Sequence, residues 1–554
     1  MAFSTALILR APGRTAEEDL LVARLCRGGV RAAAVDSLQD AAPLLREWGV
    51  PEGAAVAFVA GGSTDVCGGA LEVLPWEQSE SSTAAMQALV QLNRRRAPRG
   101  PSPQQQQKPG QEEPSSSSGS AAAEATHRAA AGAAGGGGGE PPLVVVGYAM
   151  KASREQQLAD QGLLPLLPQP TSAAAAALDG GGGGGALVCF MPLDVSRPLD
   201  KQGAFDALLH KASDELVAGP GGGGPPAWSG AMVELRRQAE AARGLAVVDP
   251  FDAAAKVVDR AVLCAILSDL EGVPLPGGVR ARAPRHAVAA SLAAPDLGRQ
   301  LEAAGTRCSG WVGAGCGLAS CALLVKPIAA CGVPGSHTMA LALGAAALPA
   351  LTGGGGGGGG GGFGGGAVVV QEFVNHGGLQ YKAYAIADHV FYATRASIPD
   401  VARPGAAALA AAAAAAGGPA AERLALRFDS LASLPTALPP HMAAGGGATL
   451  QPSGGGAPAE AGGAAAAAAA AAPAAPPLHQ GALEAVAGFL RGRLGLSLFG
   501  FDIVVCADTG EWLVVDVNYF PNYKGGPPQT AAWLRDAVAG ALAAHRRRVG
   551  LAPL

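Results

Sequence analysis

Homopolymeric tracts cut this chain into separate islands of foldable sequence, and no reading of the fold can run across them. Glycine runs fill 180–185, 221–224 and 353–366, the last broken by Phe363. Ala/Gly/Pro stretches fill 405–420 and 443–477. A pure glycine run loses much conformational entropy when ordered, and surface loops tolerate added length cheaply. The tracts therefore read as expanded loops between apolar segments, with disordered inserts near 353–366, 405–420 and 443–477. Residues 96–141, which include PSPQQQQKPGQEEPSSSSGS, read as a disordered linker. None of the glycine tracts has the GxxxxGK[ST] order or a strand–GxGxxG–helix setting, so none is assigned to phosphate.

The islands form an α/β (α+β) pattern. Residues 1–95 read as a small α/β segment without evident activity: strand Ala6–Leu9, a helix over AEEDLLVARLCRGG, then strands AAAVDS and AAVAFVAGG. Ordered pattern resumes at PPLVVVGYAM, giving a second unit over 142–246 and a third over 247–545. The formal net charge of −4 gives no sign of a nucleic-acid partner. No run is apolar and long enough for a membrane span, since the Ala tract at 464–472 is short and weakly hydrophobic. ALILR near the N-terminus reads as a buried strand, not a targeting signal. The 9 cysteines are an odd, scattered set without a CxxC pair. They read as thiols in a reducing compartment, with zinc disfavoured even for Cys308, Cys316, Cys321 and Cys331. A cytoplasmic location is expected, with the nucleus as the alternative, and a monomer.

Three segments carry chemistry. In FGFDIVVCADTGEWLVVDVNYFP, two apolar strands are joined by a turn at ADTG. Asp516 and Asn518 are two apart and share a face, and an antiparallel neighbour can bring Asp502 beside them. Two carboxylates and an amide oxygen are hard ligands suited to Mg²⁺ on nucleotide phosphates. Turn or cap roles for Asp502 and Asn518 are the competing reading, but acids inside apolar strands are costly unless paired. In VVVQEFVNHGGLQYKAYAIADHVFYATRAS, the backbone after Gln371 can meet an adenine edge. Lys382, Arg395 and Ser397 form a candidate phosphate cradle, although such cations are more often solvated. In ALLVKPIAACGVPGSHTMALAL, Lys326 leaves a strand toward a Gly-containing loop, as nucleotide-binding lysines do. His337 closes that loop and also reads as a plain surface histidine.

These segments, with GYAMKASREQQL (147–158), PLDVSRPLDKQGAFDALLHKAS (192–213), VVDPFDAAAKVVDR (247–260) and RASIPDV (395–401), resemble in order the inositol-trisphosphate 5/6-kinase family, also called inositol-tetrakisphosphate 1-kinases. The resemblance covers about 142–545 apart from the low-complexity inserts, and residues 1–95 resemble an extra segment of longer plant-type members. It implies a small N-terminal α/β kinase domain that binds inositol phosphate, followed by an ATP-grasp fold. By it, Arg260, Lys326, the run Gln371, Glu372, Phe373 and Val374, then Lys382, Ser397 and Ser430 would bind ATP. Arg154, His337, Lys382, Asn518 and Asn522 would face the inositol polyphosphate. Asp502, Asp516 and Asn518 would hold Mg²⁺, and Lys326, Lys382 and Asp516 would carry the catalytic work. Two departures stand out: MKASR replaces the family's lysine-rich run after GY, and Asn522 replaces its glycine after YFP. The competing functions are a carboxylate–amine ligase on the same scaffold and a non-catalytic scaffold. The basic set Lys151, Arg154, Arg197, Lys211 and His337 favours a phosphorylated acceptor.

Overall fold

The computed structural model describes residues 3–9, 15–51, 54–60, 71–76, 81–97, 141–178, 185–217, 227–303, 322–352, 363, 366–402, 410, 414, 419–432, 434–444 and 476–553. The linker expected at 96–141 and the inserts expected near 353–366, 405–420 and 443–477 fall almost wholly outside those residues. Cys308, Cys316 and Cys321 lie outside them too. No helix among the described residues is long and apolar enough to cross a membrane.

The first sheet is parallel throughout. Its strands are β1 (Thr5–Leu9), β2 (Arg31–Val35), β3 (Ala55–Ala60) and β4 (Glu72–Trp76), in the order β2-β1-β3-β4. Helices α1 (Thr15–Arg27), α2 (Leu38–Glu47) and α3 (Ser82–Arg96) accompany it. The second sheet is built from β5 (Leu143–Ala149), β6 (Gln169–Pro170), β7 (Leu187–Pro192) and β8 (Ala207–His210). After the small pair β9 (Leu216–Val217) and β10 (Ala227–Trp228), β11 (Ala246–Val248) completes it in the order β11-β8-β5-β7-β6. Strand β5 is apolar on both faces, as parallel strands covered on both sides are. Val145 packs with Leu21 and Leu89 of α1 and α3, while Val144 and Val146 join the core that holds Phe501 and Tyr519. The first sheet and its helices therefore share a core with the second unit. Each buried leucine at that junction is worth about 2 kcal/mol.

Two further sheets follow. One contains β13 (His286–Ala289), β14 (Ala322–Pro327), β15 (Thr338–Leu343), β16 (Val368–Glu372) and β19 (Ala425–Asp429), in the antiparallel order β13-β16-β14-β15-β19. The other contains β12 (Ala281–Arg282), β17 (Leu379–Ile386), β18 (His389–Ala396), β20 (Leu498–Val505) and β21 (Trp512–Tyr519), in the order β12-β21-β20-β17-β18. The ADTG segment turns β20 into β21, with Gly510 at φ 66°, a conformation glycine adopts without a Cβ penalty. Strand β12 pairs with β21 in parallel and the other neighbours are antiparallel; the architecture is mixed α/β, with these two mainly antiparallel sheets facing one large cavity.

Candidate active site

The cavity, of about 730 Å³, has three walls. Strands β14 and β16 form one, β17, β20 and β21 the second, and the segments after β5 and β8 the third. Strands β5 and β8 lie side by side at the point where the second sheet changes direction: the chain runs from β5 to β7 on one flank and then crosses to β8 on the other. The carboxyl ends of strands at such a switch point are where open α/β sheets bind ligands. Lys151 and Lys211 follow those two ends and line the cavity.

A charged row crosses the second wall. Lys382 of β17 is in register with Asp502 of β20, and Asp502 with Asp516 of β21. Asp502 is buried. Its Oδ2 meets Arg395 Nη2 at 3.2 Å, but Oδ1 has no hydrogen-bond partner. Burial pushes its carboxyl up, against the pull of Lys382 and Arg395. The Asn518 amide nitrogen donates to Asp516 Oδ2 at 3.2 Å, which turns the amide oxygen away from that carboxylate. Among the described residues no three His, Cys, Asp or Glu side chains converge. An orphaned buried carboxylate oxygen beside a second carboxylate fits a divalent cation, to which Asn518 would add its amide oxygen on turning the amide over.

Register slips between Asp502 and Ile503, and Val515 is left without a ladder partner. Such a bulge frees a backbone group. Lys326 of β14 uses it, donating from Nζ to Val515 O at 3.0 Å and bridging the two antiparallel sheets. Burial lowers the Lys326 pKa, opposed by nearby Asp516. Arg260 is buried beneath the same point. Its Nη1 donates to Pro327 O, Ala329 O and Ser336 O at 2.8, 2.9 and 3.2 Å, while Nε has no partner.

On the first wall, Gln371, Phe373 and Val374 line the cavity beside Leu324, and Met339 and Ser430 face it from β15 and the end of β19. This is the apolar end, of a kind that suits an aromatic base. Glu372 is turned into the structure, where it pairs with Arg282 and accepts from Arg285 N at 2.7 Å. Ser397 falls just past β18, and its hydroxyl meets His376 Nε2 at 2.9 Å. His337 is half-buried, with its pKa lowered by burial and by Arg260.

The opposite end is basic. Arg154, Lys151 and Lys211 come from the second unit, and Lys382 from β17. Lys211 is 7% exposed and donates from Nζ to Tyr519 O. Burial pulls its pKa down to about 8, with Asp214 opposing and Arg154 adding to the shift. Sequence reading counted Lys211 only as part of a basic set. Its position directly after a strand at the switch point is the signal that singles it out. Asn522 is not among the residues lining the cavity, and its carbonyl accepts from Gln161 Nε2 at 2.8 Å. Arg197 of the expected basic set does not line the cavity either, whereas the other residues expected at the site, from Arg154 and Arg260 to Asp516 and Asn518, meet at it.

Two antiparallel sheets closing on a cavity, with lysines from both and an acidic pair on one, define an ATP-grasp arrangement. The family model for the inositol 1,3,4-trisphosphate 5/6-kinase ATP-grasp domain matches residues 315–413 and 467–535. The chain is 30% identical over 371 residues to inositol-tetrakisphosphate 1-kinase 4 of Oryza sativa subsp. indica, covering 66% of this chain and 81% of that one. Inositol-tetrakisphosphate 1-kinase 6 of the same plant is 28% identical over 394 residues, 70% of this chain. The chain spans 57% of the length of that second relative. Among solved structures, D-alanine–D-alanine ligase from Bacillus anthracis superposes with a TM-score of 0.34 at 11% identity, over 74% of this chain and 99% of that one. The chain belongs to the inositol-tetrakisphosphate 1-kinase family.

Proposed function

We propose that this protein transfers the γ-phosphate of ATP to a free hydroxyl of a soluble inositol polyphosphate. The observation that carries the reading is the division of one cavity into an apolar nucleotide end, an acidic centre at Asp502 and Asp516, and a basic end at Arg154, Lys151 and Lys211. An amino-acid acceptor gives no reason for that basic end, whereas a polyphosphate needs it.

Asp502, Asp516 and Asn518 would hold Mg²⁺, which when bound neutralises charge on the terminal phosphates of ATP. The protein's own part is positioning and charge. Lys326 and Lys382 offset negative charge developing on the transferred group. Arg260 Nε, which has no protein partner, is free to donate to a nucleotide phosphate. Lys211, Arg154 and His337 grip phosphates already on the ring and so aim one hydroxyl at the γ-phosphate. No general base is assigned, since a loose transition state does not demand a strong one.

The test is ATP consumption by the full chain with inositol 1,3,4-trisphosphate, inositol 3,4,5,6-tetrakisphosphate or a mixture of amino acids. Consumption driven by an inositol phosphate supports the reading. Consumption driven by amino acids alone overturns it in favour of a ligase.

A further inference from the structure

Helix α4 (Ala152–Ala159) brings Ser153 and Arg154 to the basic end of the cavity, and Lys151 is its N-cap. Its own sequence holds it weakly. It is 8 residues long, the Lys151 side chain makes no cap bond, and Leu158 is its one buried residue. A helix that short is marginal alone, so its aim is set by what grips it from outside.

One grip is Gln161, just past the helix, on the carbonyl of Asn522. Tyr148 of β5 also hydrogen-bonds Glu155, and a further grip comes from α1 in the N-terminal unit. Arg24 donates from Nε to Glu155 Oε1 at 2.9 Å and from Nη2 to Glu155 Oε2 at 3.0 Å. Its remaining nitrogen, Nη1, donates to Ser82 Oγ at 2.6 Å and Thr83 Oγ1 at 3.0 Å, at the start of α3. Both side chains of the Arg24–Glu155 pair are only 14% exposed. A two-pronged pair of this kind fixes direction as well as distance. The contact is part of a wider seam: Arg27 pairs with Asp160 at 3.1 Å, and Leu166 N donates to Gly28 O at 2.9 Å.

Charge gives the pair a second consequence. Glu155 is next to Arg154 in sequence and one helical turn from Lys151, within pairing reach of it. Released from Arg24, the Glu155 carboxylate would compete with substrate phosphates for Lys151.

We propose that Arg24 is a positioning residue for the phosphorylated acceptor: through Glu155 it aims α4, and so Arg154 and Lys151, into the cavity and keeps the Lys151 charge available. The N-terminal α/β unit is thereby a working part of the acceptor site. This inference rests on the kinase reading above.

Steady-state kinetics on the full chain test it, varying inositol 3,4,5,6-tetrakisphosphate at saturating ATP and then the converse. R24A is expected to raise KM for the inositol phosphate about tenfold while leaving KM for ATP and kcat within about twofold. The swapped pair R24E/E155R is expected to recover most of that loss. R24K keeps the charge but loses the fork; it is expected to fall between wild type and R24A, and supplies the readout where R24A folds poorly. An unchanged KM for the inositol phosphate, or an equal rise in both KM values that the swap does not recover, overturns the inference while wild-type turnover leaves the kinase reading intact. Absence of wild-type turnover overturns the kinase reading and this inference with it.

Discussion

Asp502 and Asp516 stand opposite one another on neighbouring antiparallel strands, and the buried Asp502 Oδ1 has no hydrogen-bond partner. A buried acceptor left open costs stability unless something completes it. Burial raises the Asp502 carboxyl above its ordinary 3.8. A carboxyl raised on folding supports stability fully only below its unfolded value, and the support is lost as pH rises through the folded value. At neutral pH, then, the buried Asp502 carboxylate is a liability that a divalent cation would reverse. Adding millimolar Mg²⁺ at pH 7 is expected to raise the melting temperature of wild type and to leave D502N unmoved. D502N is also expected to lose about 10²-fold or more in kcat. An equal Mg²⁺ response in both proteins contradicts the assignment.

Lys211 gives a pH dependence on the acceptor side. Its pKa is lowered to about 8 by burial, so the charged form that would grip phosphate is lost above that value. The kcat/KM for inositol phosphate, which reports the free enzyme, is expected to fall as pH rises through about 8. K211R should carry that limb upward, since arginine stays charged. The stability sign is opposite. A lysine depressed on folding binds fewer protons folded than unfolded, so its contribution grows as pH rises from about 8 toward the ordinary 10.5.

What sequence made legible was local. The strand pair Leu498–Val505 and Trp512–Tyr519 follows from two apolar runs around a turn signal, and the placing of Asp516 and Asn518 on one face follows from the strand period. That an antiparallel neighbour can bring Asp502 beside Asp516 was legible too, but not the register that adds Lys382 to the row, nor the bulge at Val515, which no residue type announces. Nor was the contact of Lys211 with Tyr519, which joins residues 308 apart. Helix α3 went unread, and it is the element whose Leu89 and Met86 share a core with Cys189 and Met191 of β7. Such docking is decided by tertiary burial, not by local propensity.

The ion pairs around Glu372 tie the two antiparallel sheets together. Arg282 beside β21 bonds Glu372 at the end of β16 and also Glu511 in the turn before β21, the latter at 2.8 Å. The Arg282 and Glu372 side chains are 5% and 2% exposed. R282A leaves a buried carboxylate without its cation and is expected to cost about 3–5 kcal/mol in chemical denaturation. E372Q removes the charge while keeping the shape and is expected to cost distinctly less.

Asn522 supplies a contrary case. Its residue type departs from the glycine of the resemblance, yet it lies outside the cavity and only its backbone carbonyl is engaged. N522G is expected to leave KM for inositol phosphate within about twofold and stability within about 0.5 kcal/mol. A tenfold fall in KM would place this side chain in the path of the substrate after all.

Most directly, the central claim is tested by following the γ-phosphate itself. The full chain is incubated with ATP labelled at that position, Mg²⁺ and inositol 3,4,5,6-tetrakisphosphate or inositol 1,3,4-trisphosphate, and the products are resolved by anion exchange. Label appearing in a more highly phosphorylated inositol, and absent with D516N, is the predicted result. Label recovered only as free phosphate with both acceptors, at equal rates in wild type and D516N, would contradict the account.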